Sequence, residues 1–139
     1  MKIIVADDDK VVSMLVCGIL REQGHQVLAA YDQMQTLMFA LRTPEPDVII
    51  LDLNMPGGAG GETLRRLKTS TRTSHIPVIV LSGTTDRDAP RQVSELGGGV
   101  FLPKPVDRDR LLGELEGIAM MPVPIKPASS MKVSRLTYG

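Results

Sequence analysis

Hydrophobic residues in this chain form five short runs that alternate with longer segments in which apolar residues recur every three or four positions. The runs predict buried strands, and the longer segments predict amphipathic helices. The predicted strands are 2–6, 26–30, 48–51, 76–81 and 100–102, and the predicted helices are 10–23, 33–42, 62–68, 86–96 and 107–120. This alternation is typical of an α/β protein with a doubly wound, five-stranded parallel sheet covered by helices on both faces.

Three of the helices give specific expectations about packing. The first helix carries apolar residues at helical spacing: Val11, Leu15 and Ile19, with Val12, Val16 and Leu20 beside them. In the second helix, which Asp32 can cap, we expect Leu37, Met38 and Leu41 to face the sheet. The fourth helix has few apolar residues, so we expect it to be the least firmly anchored.

Composition narrows the possible functions. The 139 residues suit one domain, predicted over 1–120, followed by a Pro- and Ser-rich tail or linker over 121–139 that we expect to be flexible. The 16 basic and 16 acidic residues balance, which argues against direct nucleic-acid binding. The single cysteine excludes an internal disulfide, and no apolar run is long enough to span a membrane. Because the first residues do not resemble a signal peptide, we expect a cytoplasmic location.

Polar residues follow four of the predicted strands at their carboxyl ends, where open parallel sheets bind ligands. They are Asp7, Asp8, Asp9, Asp52, Ser82 and Lys104. The strand order 2-1-3-4-5 would place the first and third strands side by side, and would therefore bring Asp7 and Asp8 next to Asp52. Taken singly, each residue is also explained as a helix cap, a turn residue or a surface charge, and only their coincidence at one edge favours a functional site.

This set of residues suits magnesium binding and phosphoryl transfer. Three carboxylates with oxygen-only surroundings are a hard-cation site of the kind that Mg²⁺ occupies. A carboxylate such as that of Asp52 can act as a nucleophile and form an acyl phosphate. The transfer then needs positioning and charge stabilisation, which a cation, Ser82 and Lys104 would supply.

Four segments resemble the receiver domain of bacterial two-component response regulators, and the resemblance covers about residues 2–120. The segments are 3–8 (IIVADD), 51–57 (LDLNMPG), 80–83 (VLSG) and 102–105 (LPKP). The resemblance implies a flavodoxin-like fold in which Asp52 accepts a phosphoryl group from a phosphohistidine on a sensor histidine kinase or phosphotransfer protein. It also implies a regulatory domain rather than an enzyme.

The resemblance assigns roles to the other residues at this edge. Mg²⁺ would be held by Asp7, Asp8, Asp52 and the backbone carbonyl of Asn54, whereas Asp9 would more readily cap a helix. Ser82 would donate a hydrogen bond to one phosphoryl oxygen, and Lys104 would pair with another. The family also usually has a cis peptide bond before the proline at position 105.

The resemblance further implies a switch. Ser82 would move towards the phosphoryl group and the aromatic residue at position 101 would rotate inward, altering a face built from the fourth helix, the fifth strand and the fifth helix. A downstream protein would bind this face, and a phosphorylation-dependent dimer is left open. The aromatic residue here is Phe101, whose rotation only packing can govern because it has no hydroxyl group.

Two other classes of function are weighed against this one. A Mg²⁺-dependent phosphohydrolase with an Asp nucleophile generally has a second Asp two positions later, where this chain has Asn54, which cannot transfer a proton in that role. A flavin- or nucleotide-binding protein would need a Gly-rich phosphate loop after the first strand, where this chain has three aspartates. His25 and His75 lie outside the edge cluster, and we interpret both as structural.

Overall fold

The computed structural model describes residues 1–58, 61–83, 87–97 and 99–121. Within these residues, five strands alternate with five helices. The strands are β1 (Lys2–Ala6), β2 (Gln26–Ala30), β3 (Val48–Asp52), β4 (Val78–Ser82) and β5 (Val100–Pro103). The helices are α1 (Lys10–Glu22), α2 (Gln33–Ala40), α3 (Glu62–Thr69), α4 (Ala89–Glu95) and α5 (Arg108–Ala119). All four strand pairs are parallel, in the order β2-β1-β3-β4-β5, which confirms the predicted doubly wound topology.

Two parts of the predicted organisation lie outside the described residues. The tail is one, from residue 122 onward, and residue 86 at the predicted start of the fourth helix is the other. The boundary between a receiver domain and a linker therefore stays a prediction.

The core has two apolar layers, one on each face of the sheet. Every residue of the central strands β3 and β4 is buried, as continuous apolar runs require in a parallel sheet covered on both sides. Helices α1 and α5 contribute buried side chains to one layer, and α2, α3 and α4 contribute to the other. The helices cover the two faces of the sheet, and the loops that follow the strands meet at its carboxyl edge.

The helices are short and mostly begin at an aspartate cap. Asp9, Asp32 and Asp107 each accept a hydrogen bond from a backbone N–H in the first turn of α1, α2 and α5 respectively. Gly24, which follows the end of α1, has a φ of +84°, a conformation that glycine adopts without strain. No helix in the described part of the chain is both long and apolar enough to cross a membrane.

Two of the three residues predicted to face the sheet from α2 are exposed instead. Leu37 packs against the core, but Met38 and Leu41 are 54% and 42% exposed. The polar Thr36 is buried instead, because its hydroxyl donates to the Asp32 carbonyl (2.8 Å) and therefore needs no water.

The apolar residues at helical spacing on α1 are also only partly buried. Val16, Ile19 and Leu20 are buried, whereas Val11 and Leu15 are 76% and 54% exposed. Counting apolar residues at helical spacing therefore finds the helices but misplaces part of the buried face of each.

Candidate functional site

The pairing of β1 with β3 brings the predicted aspartates together. Ala6 pairs with Leu51, so the residues that follow, Asp7 and Asp52, leave neighbouring strands at the same level. One carboxylate oxygen from each of Asp7, Asp8 and Asp52 lies within 4.8 Å of the others. The convergence on which the sequence hypothesis depends is therefore present.

The two inner carboxylates are held by backbone donors. Asp7 is fully buried and Asp52 is 8% exposed, whereas Asp8 is exposed. The N–H of Asp9 donates to Asp7 Oδ1 (2.9 Å), and the N–H of Asn54 donates to Asp52 Oδ1 (3.2 Å). These bonds fix two carboxylates beside each other at the bottom of the edge, with Asp8 open to solvent.

Lys104 lies on the same edge and bridges the two inner aspartates. Its Nζ is 2.8 Å from Asp7 Oδ2 and 3.7 Å from Asp52 Oδ2. The Lys104 N–H donates to the Ser82 carbonyl (2.7 Å), which ties the end of β5 to the end of β4, and the peptide bond to Pro105 is cis, as expected. Ser82 itself is 1% exposed. Lys104 thus lies against the acidic cluster directly after β5, and Ser82 ends the adjacent strand β4.

The protonation of Asp52 reflects its crowded surroundings. Burial, together with the neighbouring charge of Asp7 and a contact with Asp8, raises the pKa of Asp52 to about 6, against the lowering effects of the Asn54 N–H and Lys104. Burial alone would lower the pKa of Lys104, but the carboxylates of Asp7 and Asp52 outweigh it and raise that pKa. The lysine therefore stays charged, and burial together with the neighbouring aspartates still holds the pKa of Asp52 above its ordinary value.

The donor set fits a hard divalent cation. Three carboxylates within reach of one ion supply only oxygen ligands, and the exposure of Asp8 leaves the cluster open to water, which Mg²⁺ retains in its coordination shell. Asp9 is not part of this set, because its carboxylate accepts from the N–H groups of Val11 and Val12 as the cap of α1. The expectation that Asp9 is a cap is therefore confirmed.

Two residues that the sequence did not indicate shape the loop after Asp52. Gln33 and Thr63 are buried against Gly58, where any Cβ would collide with the Thr63 hydroxyl and the Gln33 side chain. With its amide oriented to satisfy both neighbours, Gln33 donates to the Gly57 carbonyl and accepts from Arg66 Nε (3.1 Å). No pattern in the sequence indicates that Gln33 supports this loop, since its position predicts only the first residue of a helix.

The remaining predicted residues are Phe101 and the two histidines. Phe101 is half-buried in β5, pairs in register with Val80 and packs against the apolar layer on the α2–α3–α4 face. The two histidines are away from the edge: His25 contacts the amino terminus (3.0 Å), and His75 contacts Glu45 (2.9 Å).

The fold is an open parallel sheet, and an acidic cluster that could hold a cation lies at its carboxyl edge. The family model for the response regulator receiver domain matches residues 3–116, and the chain belongs to that family. Family membership makes it a phosphorylation-activated signalling module of the two-component type.

Similar proteins fall into two groups by length. The protein PilH of Pseudomonas aeruginosa is 32% identical over 118 residues, which cover 84% of this chain and 96% of PilH. The phosphate regulon transcriptional regulatory protein PhoB of Shigella flexneri is 26% identical over 98% of this chain, but the chain spans only 59% of that protein. A receiver domain protein of Clostridium thermocellum matches in structure with a TM-score of 0.75, 30% identity and coverage of 84% of this chain and 92% of that one.

Proposed function

We propose that Asp52 is the phosphoacceptor of this receiver domain. An oxygen of its carboxylate attacks the phosphorus of a phosphohistidine on a sensor histidine kinase or phosphotransfer protein. The P–N bond breaks, the imidazole leaves, and an acyl phosphate forms on Asp52. The observation that carries this proposal is the convergence of Asp7, Asp8 and Asp52 within 4.8 Å, with the Lys104 ammonium 3.7 Å from Asp52.

The residues around Asp52 have complementary tasks in this reaction. Asp7, Asp8, Asp52 and the backbone carbonyl of Asn54 would hold Mg²⁺, which supplies charge neutralisation for the phosphoryl oxygens. Lys104, now shared between Asp7 and Asp52, would pair with one phosphoryl oxygen, and the Ser82 hydroxyl would donate to another. Both contacts stabilise charge that grows on these oxygens during transfer.

The chemistry is that of a regulatory domain acting on itself. A phosphohydrolase would need a proton donor two residues after the nucleophile, and Asn54 supplies only an amide. Its backbone N–H is already used to hold Asp52 (3.2 Å). No observation favours the hydrolase over a domain that catalyses only its own phosphorylation and dephosphorylation.

Phosphorylation would be read out on the α4–β5–α5 face. Ser82 and Phe101 are the proposed switch residues, and the hydrogen bond from the Lys104 N–H to the Ser82 carbonyl links the ends of the two strands that carry them. A downstream protein would bind this face. Gel filtration with and without the phosphoryl analogue beryllofluoride tests whether a second copy of the chain binds there.

Labelling with acetyl phosphate tests the assignment of Asp52. With Mg²⁺ present, we expect one phosphoryl group per chain, measured by intact mass, and no labelling of Asp52→Asn. Asp109→Asn is the matched control, because Asp109 is 94% exposed on α5, and it should label like the wild type. Stoichiometric labelling of Asp52→Asn, or labelling that EDTA leaves unchanged, would overturn the proposal.

A further inference from the structure

The outer face of α2 carries apolar residues that neither the fold nor the phosphoryl site uses. Met34 is 71% exposed, and with the exposed Met38 and Leu41 it forms a stripe at i, i+4 and i+7 along the helix. This spacing is that of a helix face that contacts another protein element. Methionine side chains are flexible and polarisable, which suits them to an adaptable contact.

Two cavities follow this stripe and together form what we call the α2 groove. The first has a volume of 310 Å³ and lies between the α2 stripe and Arg66 of α3. The second has a volume of 230 Å³ and lies at the end of α2, between Arg42 and Arg72. Leu41 lines both cavities, so the groove continues from the loop after Asp52 towards the amino-terminal end of the sheet.

The charges beside the groove are unbalanced towards the positive. Glu62 is paired with Arg66 (3.1 Å) and Glu45 with His75 (2.9 Å). The exposed guanidinium groups of Arg42 and Arg72, by contrast, make no ion pair within the described residues, and that of Arg42 lies over the Phe39 ring at 4.5 Å. An apolar groove whose far end holds these two guanidinium groups, beside a Glu45 carboxylate already paired with His75, calls for an occupant with both apolar and acidic side chains.

Charge also argues against the two occupants that the chain itself could supply. A symmetric contact between two copies through this face would bring no carboxylates beyond Glu45 and Glu62, which are already paired within their own copy. The segment 122–139 carries basic side chains and no acidic ones: Lys126, Lys132 and Arg135. Neither complements the groove.

We propose that the α2 groove binds an acidic amphipathic helical segment of a partner protein. Apolar side chains of that segment lie along Met34, Met38 and Leu41, and its carboxylates pair with Arg42 and Arg72. This surface is separate from the α4–β5–α5 face, so the proposal goes beyond the function proposed above. Gly57, in the loop after Asp52, lines one end of the groove, so a bound segment would touch that loop.

A synthetic peptide probe tests the groove directly. The probe is a fluorescein-labelled helical peptide of Glu and Ala with Leu at i, i+4 and i+7, and its counterpart has Lys in place of Glu. By fluorescence anisotropy with the full chain, we expect the acidic peptide to bind about tenfold more tightly than the basic one, and Met38→Glu to weaken it about tenfold. Arg72→Glu should weaken binding severalfold and reduce its salt dependence.

The matched control is Met14→Glu, because Met14 on α1 is 74% exposed and lies outside the groove. It should leave the peptide affinity unchanged. Equal binding to the wild type and Met38→Glu, or equal binding of the acidic and basic peptides, would overturn the proposal. Self-association of the wild type that Met38→Glu abolishes, seen by sedimentation, would assign the face to a second copy instead. Met38→Glu should still label with acetyl phosphate, so failure here is distinguishable from failure of the Asp52 assignment.

Discussion

The two ends of the sheet hold charged side chains in opposite ways. At the carboxyl end, three aspartates lie side by side, and one lysine pairs with two of them. At the amino end, Lys68 donates to the carbonyls of Ser74 (3.3 Å) and Ile76 (2.8 Å), and His75 pairs with Glu45. At the amino end, Lys68 Nζ and His75 Nε2 therefore have partners within the protein, whereas at the carboxyl end like-charged carboxylates lie side by side with one lysine between two of them.

A shifted pKa marks both ends, so the shift alone does not identify the functional one. Burial lowers the pKa of Lys68, and burial also leads the rise in the pKa of Asp52. The difference lies in the neighbours: Lys68 meets carbonyl acceptors, while Asp52 meets other carboxylates. At these two sites, the like-charged neighbours of Asp52, and not burial alone, distinguish the carboxyl end.

Magnesium should give the largest effect, because it acts on this repulsion. At about 100 times its dissociation constant, Mg²⁺ should stabilise the wild type by about 2.7 kcal/mol, measured by urea denaturation against an EDTA control. Asp7→Asn should lose most of this gain, while Asp109→Asn keeps it. An equal gain in Asp7→Asn would place the cation elsewhere.

Lys68→Met should have the next largest effect on stability, and it tests the amino end of the sheet. Methionine keeps the length of the side chain but removes the hydrogen bonds to the Ser74 and Ile76 carbonyls. We expect a loss of about 2 kcal/mol in the free energy of unfolding, since bonds from charged donors contribute more than neutral ones. Arg65→Met, on the exposed side of the same helix, should change it by less than about 0.5 kcal/mol. If Lys68→Met left the free energy of unfolding unchanged, these hydrogen bonds would contribute no more than the hydrogen bonds to water that they replace.

Asp52→Asn should stabilise the protein in EDTA at pH 8, by about 1 to 2 kcal/mol. The pKa of Asp52 in the folded chain is raised from 3.8 to about 6, so the folded state binds more protons than the unfolded state between these values. Wild-type stability should therefore fall as the pH rises through this window, and the variant should lack that part of the slope. Denaturation at pH 4, 6 and 8 measures both. A variant less stable than wild type at pH 8 would contradict a net cost of charging Asp52, which burial and the neighbouring carboxylates impose.

The sequence predicts the fold and the edge cluster for the same physical reason. Parallel strands deliver whatever follows them to one edge, so strand order and the residues after each strand are enough to bring Asp7 and Asp52 together. The buried face of α2 is less predictable, because Thr36 hides its hydroxyl by bonding to its own helix. The roles of Gln33 and Thr63 depend on three-dimensional packing against Gly58, which no local pattern encodes.

Glu45→Gln should have the smallest effect on stability, and it is the closest counterpart of Asp52→Asn. Both replace a carboxylate with an amide of the same shape, one at each end of the sheet. Glu45 faces the buried ring of His75, whose side chain is 9% exposed, at 2.9 Å, so the amide keeps a hydrogen-bonding oxygen but loses the charge. We expect a loss of about 0.5 to 1 kcal/mol in urea denaturation at pH 7 in EDTA, opposite in sign to the Asp52 variant. If both variants shifted stability in the same direction, the contrast between the two ends would be false, because it requires that the carboxylate has a hydrogen-bonding partner at one end and like-charged neighbours at the other.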